Sequence, residues 1–291
     1  MTTRLQYRNQ IRRLVKDQPG LDTLAAGISA SAVTASLTLG DAAGAPQVWE
    51  IGSEAIWVSS WTSPTGSGLQ RGFWGTTAAT ASAGDQVRIS PRFLQVDLNA
   101  ALASAIRRMT SLGLYRIKTV DVIYNSSIMG YDIASDMVDV YEVRAQQPGS
   151  ANEWPLIRDY QVLHDMPTTS FTSGKGIVLY SAGQSGFPIR VRYKARYGTF
   201  TSDTQDSLTD LGIQDMADDL PVVGAAAELL QTEEIHRTQI DAAEESERAQ
   251  DVPSGSARTL GAQLDARFRE RVSEVLADLN RTYMPTVRYT G

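Results

Sequence analysis

Apolar and polar positions change their period several times along this chain, and each change predicts a different kind of element. Leu5, Tyr7, Ile11, Leu14 and Val15 recur among arginines between Thr3 and Lys16, close enough to a 3.6-residue period to predict a short amphipathic helix. Asp17-Gln18-Pro19-Gly20 ends it, because proline lacks a donor and glycine permits a turn. Residues 21–32 are small and without period, and read as a connector. From Val33 to Leu39 the period falls to two, and Val48–Ile51 and Glu54–Trp61 repeat strand-like content between turns at Gly40-Asp41 and Gly52-Ser53. A compact antiparallel module is the expectation.

The helical period returns at Phe93, with Leu94, Leu98, Leu102, Ile106, Met109 and Leu112 on one face, Asp97 near the start and Gly113 as the stop. Its expected packing partner is the helix over 3–16. Strand patterns then dominate from Ile117 to Phe200: Ile117–Asn125, Met137–Ala145, Trp154–Leu163, Gly176–Ala182 and Pro188–Tyr197. In the last of these, Arg190, Arg192, Lys194 and Arg196 alternate with Ile189, Val191, Tyr193 and Ala195, which predicts one cationic and one apolar face. After residue 207 the chain becomes helical again. Leu220-Pro221 opens a segment striped by Val222, Val223, Ala226, Leu229, Leu230 and Ile235, with Asp218 or Asp219 as a possible N-cap. Asp251 to Ser256 breaks this helix. Leu260, Leu264, Phe268, Val272, Leu276 and Leu279 then mark a second one.

Composition narrows the class. An apolar fraction of 42% and a charged fraction of 21% are those of a folding chain, and 291 residues allow two or three subdomains. The absence of cysteine excludes a disulfide framework and a thiolate nucleophile. No run approaches the length needed to span a bilayer, and no apolar signal core follows the basic N-terminus, so a soluble protein made in the cytoplasm is expected. A formal net charge of −6 argues against tight nucleic-acid binding as the main task. That charge is unevenly placed: residues 1–16 carry five cations and no acid, whereas residues 203–251 carry fourteen acids against Arg237 and Arg248.

No catalytic constellation emerges. His164 and Asp165 are adjacent and so point different ways on a strand, and His236 has no second histidine at helical spacing. Asp218-Asp219 lack the alternating oxygen ligands of a cation loop, and no Gly-x-Ser-x-Gly elbow is present. The expectation is therefore a protein without catalytic, cofactor-binding or metal-ligating residues. Trp57, Trp61, Phe73 and Trp74 cluster in the first β module, where Trp57, Trp61 and Trp74 form either a small core or a stacking platform for a sugar. A hydrolase using Asp218 or His164 is a remote third reading.

Leu69 to Val87 is the most distinctive stretch, with glycines at 72, 75 and 84 and an Ala/Thr run between them. It resembles the RG…GT.A..H..G..V stretch recurring in small β modules of tailed-phage virion proteins, with Ser82 near the place of the histidine. A phosphate-binding loop is the sharper alternative, against which stand the missing lysine and the glycine spacing. The order of parts carries a second resemblance: a basic helix over Arg4–Lys16, the Asp97-Leu98-Asn99-Ala100-Ala101 helix start, a β segment ending in Val191-Arg192-Tyr193, and Leu220-Pro221 leading into Ala225–Leu230. Together these look like the head-to-tail adaptor, or connector, proteins of tailed phages.

That resemblance implies an α+β fold: a helical adaptor-like framework with an inserted small antiparallel β module and a second β-rich region. The expected divisions are an N-terminal helix region (1–24), the β module (25–93), a framework helix (94–115), a β-rich domain (116–202) and an acidic helix, amphipathic helix and extended tail (203–291). It also implies a structural virion protein in the neck, a ring commonly of twelve copies beneath the portal protein and above the next neck or tail component. DNA would pass through its channel without sequence-specific contact. A closed ring repeats one heterologous interface, so complementary faces are needed. Arg8, Arg12, Arg190, Arg192, Glu233 and Glu244 are the candidate subunit contacts. Tyr283, Met284, Pro285, Val287, Arg288 and Tyr289 are the candidate attachment to the portal or a neighbouring subunit, since such a segment can add to a partner as an extended strand. The alternative is a carbohydrate-binding structural or minor tail protein.

Overall fold

The computed structural model describes residues 2–40, 44–150, 152–180, 184–243 and 256–282. Thirteen strands in three antiparallel sheets and four α-helices lie among them, grouped around three hydrophobic cores. This corrects the expected fold: the chain is β-rich, not a helical framework with β insertions. The reason lies in element length. Short strands such as Gly20–Thr23, Thr34–Ser36, Gly130–Asp132 and Leu156–Ile157 are too brief to show a period, whereas each long helix announces itself.

The first β lobe begins earlier than its sequence suggests. Gly20–Thr23, in the apparent connector, is strand β1 and pairs with β6 (Gln86–Ile89). β2 (Thr34–Ser36), β3 (Gln47–Ile51), β4 (Glu54–Thr62) and β5 (Thr65–Gln70) complete a six-stranded sheet in the order β1-β6-β3-β4-β5-β2. Its two end strands meet: Ala25 N–H donates to Ser36 and Thr38 N–H to Thr23, each at 2.9 Å, around a Leu24–Leu37 bridge. Joining the ends hides two edges that would otherwise invite pairing. Trp49, Ile56, Val58, Leu69 and Val87 fill the space enclosed.

The second lobe is a sandwich. β7 (Arg116–Ile123), β9 (Met137–Ala145), β10 (Leu156–Ile157) and β13 (Pro188–Ala195) form one sheet in the order β10-β9-β13-β7. β8 (Gly130–Asp132), β11 (Tyr160–Leu163) and β12 (Gly176–Leu179) form the other, in the order β11-β12-β8. The single strand expected over Trp154–Leu163 is thus divided between two sheets. Tyr131, Ile133, Ile177 and Leu179 meet Val140, Val143, Ile189, Val191 and Tyr193 in the core between them.

The helices make the third core. α1 (Arg4–Leu14), α2 (Gln95–Ser111), α3 (Leu220–Ala243) and α4 (Ser256–Thr282) pack with Tyr197, Leu211 and Ile213. α2 packs chiefly on α3, which also carries α1 and α4, so the expected α1–α2 pairing is the minor contact. α3 is buried almost all round from Leu220 to Ala227, and its Ala-rich sequence lets neighbours approach closely. At Gly224 an added Cβ would lie 2.9 Å from Phe268 and 3.0 Å from Ala105. Gly224→Val is therefore expected to overpack this contact and lower stability by about 1–3 kcal/mol. Phe268→Ala, opening a void at a fully buried ring, should cost about 3–5 kcal/mol. Thermal unfolding followed by circular dichroism measures both, and an unchanged midpoint for Gly224→Val would contradict the packing described.

Candidate interaction surfaces

The basic face of α1 turns inward. Thr3 opens the helix with a capping box, accepting from Gln6 N–H while the Gln6 side chain accepts from Thr3 N–H at 2.8 Å. One turn apart, Arg4 and Arg8 both reach Asp203, with Arg4 Nε at 2.7 Å and Arg8 Nη1 at 3.0 Å. Burial alone would raise the Asp203 carboxyl, but these guanidinium groups hold it below its ordinary value. Arg12 is buried between Asp17, at 2.5 Å, and Glu50 of β3, at 2.9 Å. Glu50 also accepts from the backbone of Gln95 at the start of α2 and stands 3.6 Å from Arg88. Burial wins there and raises the Glu50 carboxyl despite its cations. Arg8 and Arg12, expected as contacts to a neighbouring subunit, are thus bound within their own chain.

Arg190, Arg192 and Glu233, the other expected contacts among the described residues, are paired as well. β13 is a central strand, so its cations do not guard an edge. Arg190 makes two 2.9 Å bonds to Asp121 and lies over the Trp154 ring, and Arg192 pairs with Glu142 at 2.7 Å. Glu233 accepts from Arg92 at 2.5 and 2.8 Å. Asp218, considered as a cap or a catalyst, accepts from Ser207 at 2.8 Å and from Tyr7 and Thr2. It anchors α1 to the loop before α3. Glu244 and the segment Tyr283, Met284, Pro285, Val287, Arg288 and Tyr289 lie outside the described residues.

The distinctive glycine stretch has a structural explanation centred on Glu54, which the sequence reading passed over. Arg71 donates to both Glu54 oxygens at 2.8 and 2.6 Å, and the backbone N–H groups of Gly72 and Ala79 add bonds of 3.0 and 3.1 Å. Burial favours protonation of Glu54, yet these donors hold it below its usual range. Thr76 accepts from Ala55 N–H at 3.0 Å and donates to Phe73 at 2.9 Å. Gly72 has φ +62°, and a Cβ there would sit 2.8 Å from Thr76 O. The Arg-Gly pair and the threonine therefore close a loop over β4. A carboxylate in each of two otherwise uncharged strands, Glu50 and Glu54, was the available signal, since buried acids need partners.

The tryptophans do not share one platform. Trp61 meets Trp49 edge-on at 5.6 Å and joins the lobe's core, whereas Trp57 stacks on Phe73 at 5.4 Å and Phe73 on Trp74 at 4.9 Å. Trp74 is 65% exposed. It borders a groove of ≈ 940 Å³ between loop 74–77, the start of α2 and the middle of α3. Apolar side chains are also exposed in two groups: Ile123, Ile128, Met129 and Tyr180 where β7 ends and β8 begins, and Leu21 and Leu39 beside the β1–β2 closure. Among the described residues, β7 is an end strand with no second strand partner.

Among the described residues no group of three or more His, Asp or Glu side chains could share a metal ion, and no helix is long and apolar enough to cross a membrane. No family model matches the chain, and no curated protein matches it.

Two expectations follow from the paired carboxylates. Arg71→Met strands the buried Glu54 charge and should cost about 3–5 kcal/mol, and adding Glu54→Gln to it should restore part of that loss in denaturant unfolding. Because Asp203 is lowered in the folded chain, its contribution is present above its unfolded value and is lost as pH falls through the folded one. Acid destabilisation between pH 5 and 3 should therefore be shallower in Asp203→Asn than in the parent chain, and equal slopes would contradict the assignment.

Proposed function

We propose that this protein is a structural virion component of a tailed phage, a head-to-tail adaptor that assembles as a ring beneath the portal and around the DNA channel. The observation that carries the reading is the division of its surface. Strongly charged groups such as Arg8, Arg12, Arg71 and Arg192 are tied to carboxylates of the same chain, while Ile123, Ile128, Met129, Tyr180, Leu21 and Leu39 are left outward. Exposed apolar groups gathered on separate lobes suit contact with other chains. The edge of β7, unpaired among the described residues, offers backbone groups to the same end. The phage assignment rests on the Leu69–Val87 stretch and the order of helices and β segments described above.

In this reading the portal protein and the next neck or tail component are the axial partners, and copies of the chain are the lateral ones. Asp210 and Asp215, which form no ion pair among the described residues, and the other acids between 203 and 251 suit a wall past which phosphate slides without sticking. Mass photometry of the purified chain, alone and with the portal protein of the same genome, tests it. The expected result is one closed species of about twelve copies, the number that the adaptor resemblance implies, since a repeated heterologous contact whose rotation closes gives a ring instead of a filament. A chain that stays monomeric in both mixtures would overturn the reading. Truncation after Thr282 is expected to weaken co-assembly with the portal, and full co-assembly would remove the tail from that contact.

A further inference from the structure

The groove beside Trp74 has a chemistry that selects its occupant. Trp74 adopts φ +53° and ψ +33°, left-handed backbone that a bulky residue rarely takes. With Phe73 and Trp57 stacked behind it, the indole is fixed outward at the groove's lip. Thr77 and the exposed Val96 also line the groove. Three carboxylates line the groove against one cation: Arg92 pairs with Glu233, and Asp97 and Glu228 form no ion pair among the described residues. Such a site suits a segment with aromatic and apolar side chains, one cation and no acid.

Residues 283–291, Tyr-Met-Pro-Thr-Val-Arg-Tyr-Thr-Gly, have that composition. The backbone at Arg288 falls short of the groove of its own chain. Gly261 of α4 lies against Ala227 and Gln231 of α3, level with the groove, and Thr282 stands 21 residues further along the same helix, or roughly 30 Å at 1.5 Å per residue. Arg288 is six residues beyond Thr282, and six residues span at most about 21 Å. We propose that the groove binds residues 283–291 of a second copy, with Arg288 facing Asp97 and Glu228 and a tyrosine or the guanidinium against Trp74. The inference rests on the self-assembly reading in requiring a second copy, but not on a ring or a portal.

The chain contains no cysteine, so introduced thiols report one contact cleanly. Full-length Thr77→Cys and full-length Thr290→Cys are mixed under mild oxidation and resolved on a non-reducing gel. The expected product is a disulfide-linked heterodimer. Its yield should fall roughly fivefold or more, as at a binding hot spot, when Trp74→Ala or Asp97→Lys is added to the Thr77→Cys chain, and it should fall again with excess synthetic peptide 283–291. Circular dichroism confirms that these variants are folded. Heterodimer no more abundant than with Ser127→Cys in place of Thr77→Cys overturns the inference, as does a yield indifferent to Trp74→Ala, Asp97→Lys and peptide. Particle mass on the same samples separates the two ideas. A closed ring without the cross-link overturns only the tail–groove contact, and the cross-link in a species that is not a ring overturns only the ring.

Discussion

A guanidinium held between two buried carboxylates fixes how this molecule is put together. Arg12 leaves the last turn of α1, meets Asp17 just beyond the helix, and reaches Glu50 in the first β lobe. Glu50 in turn takes the first backbone donor of α2, and Asp17 accepts from Arg92 N–H at 2.9 Å. The end of one helix, the start of the next and a barrel-like sheet between them are therefore parts of one polar network. Ions removed from water are stable only with their partners in place. A shift of the lobe against the helices would strand several charges together, which favours a single arrangement over a range of them.

The same economy of charge recurs throughout. Asp203 receives Arg4 and Arg8, Glu54 receives Arg71, and Glu142 receives Arg144 and Arg192. Arg144 shares β9 with Glu142, but the other cations come from a different element or from across a loop. Beside these internal pairs, the described residues present exposed apolar groups, an unpaired strand edge and the Trp74 groove. Recognition built on such features depends on shape and backbone pairing more than on long-range attraction.

Much of the local structure was legible. The 3.6-residue stripes at Leu94–Leu112 and Leu260–Leu279 became α2 and α4, and the alternation Ile189–Ala195 became a strand with its apolar side buried, because a long period states which face meets the core. Gly113, expected as a stop, takes φ +96° one residue past the α2 cap. Less legible were the strands of two to four residues, which lack the length to repeat, and the break at Arg158-Asp159 that sends β10 and β11 to different sheets. The groove could not be read at all, since its walls come from residues near 75, 96 and 230 that only folding brings together.

What the sequence determined by itself was where helices and the longer strands begin, which of their faces are apolar, and that acids and cations occur in separate blocks. Those properties follow from neighbours a few positions apart, where side-chain direction is set by backbone geometry. Tertiary structure decided the destination of the charges. The basic block of α1 reads as an outward surface on a helical wheel, yet Arg8 and Arg12 are buried because Asp203, Asp17 and Glu50 approach from 195, 5 and 38 residues away. A guanidinium offers several donors in one plane and is satisfied by whichever carboxylates the packing delivers, so its partner is a property of the assembled fold.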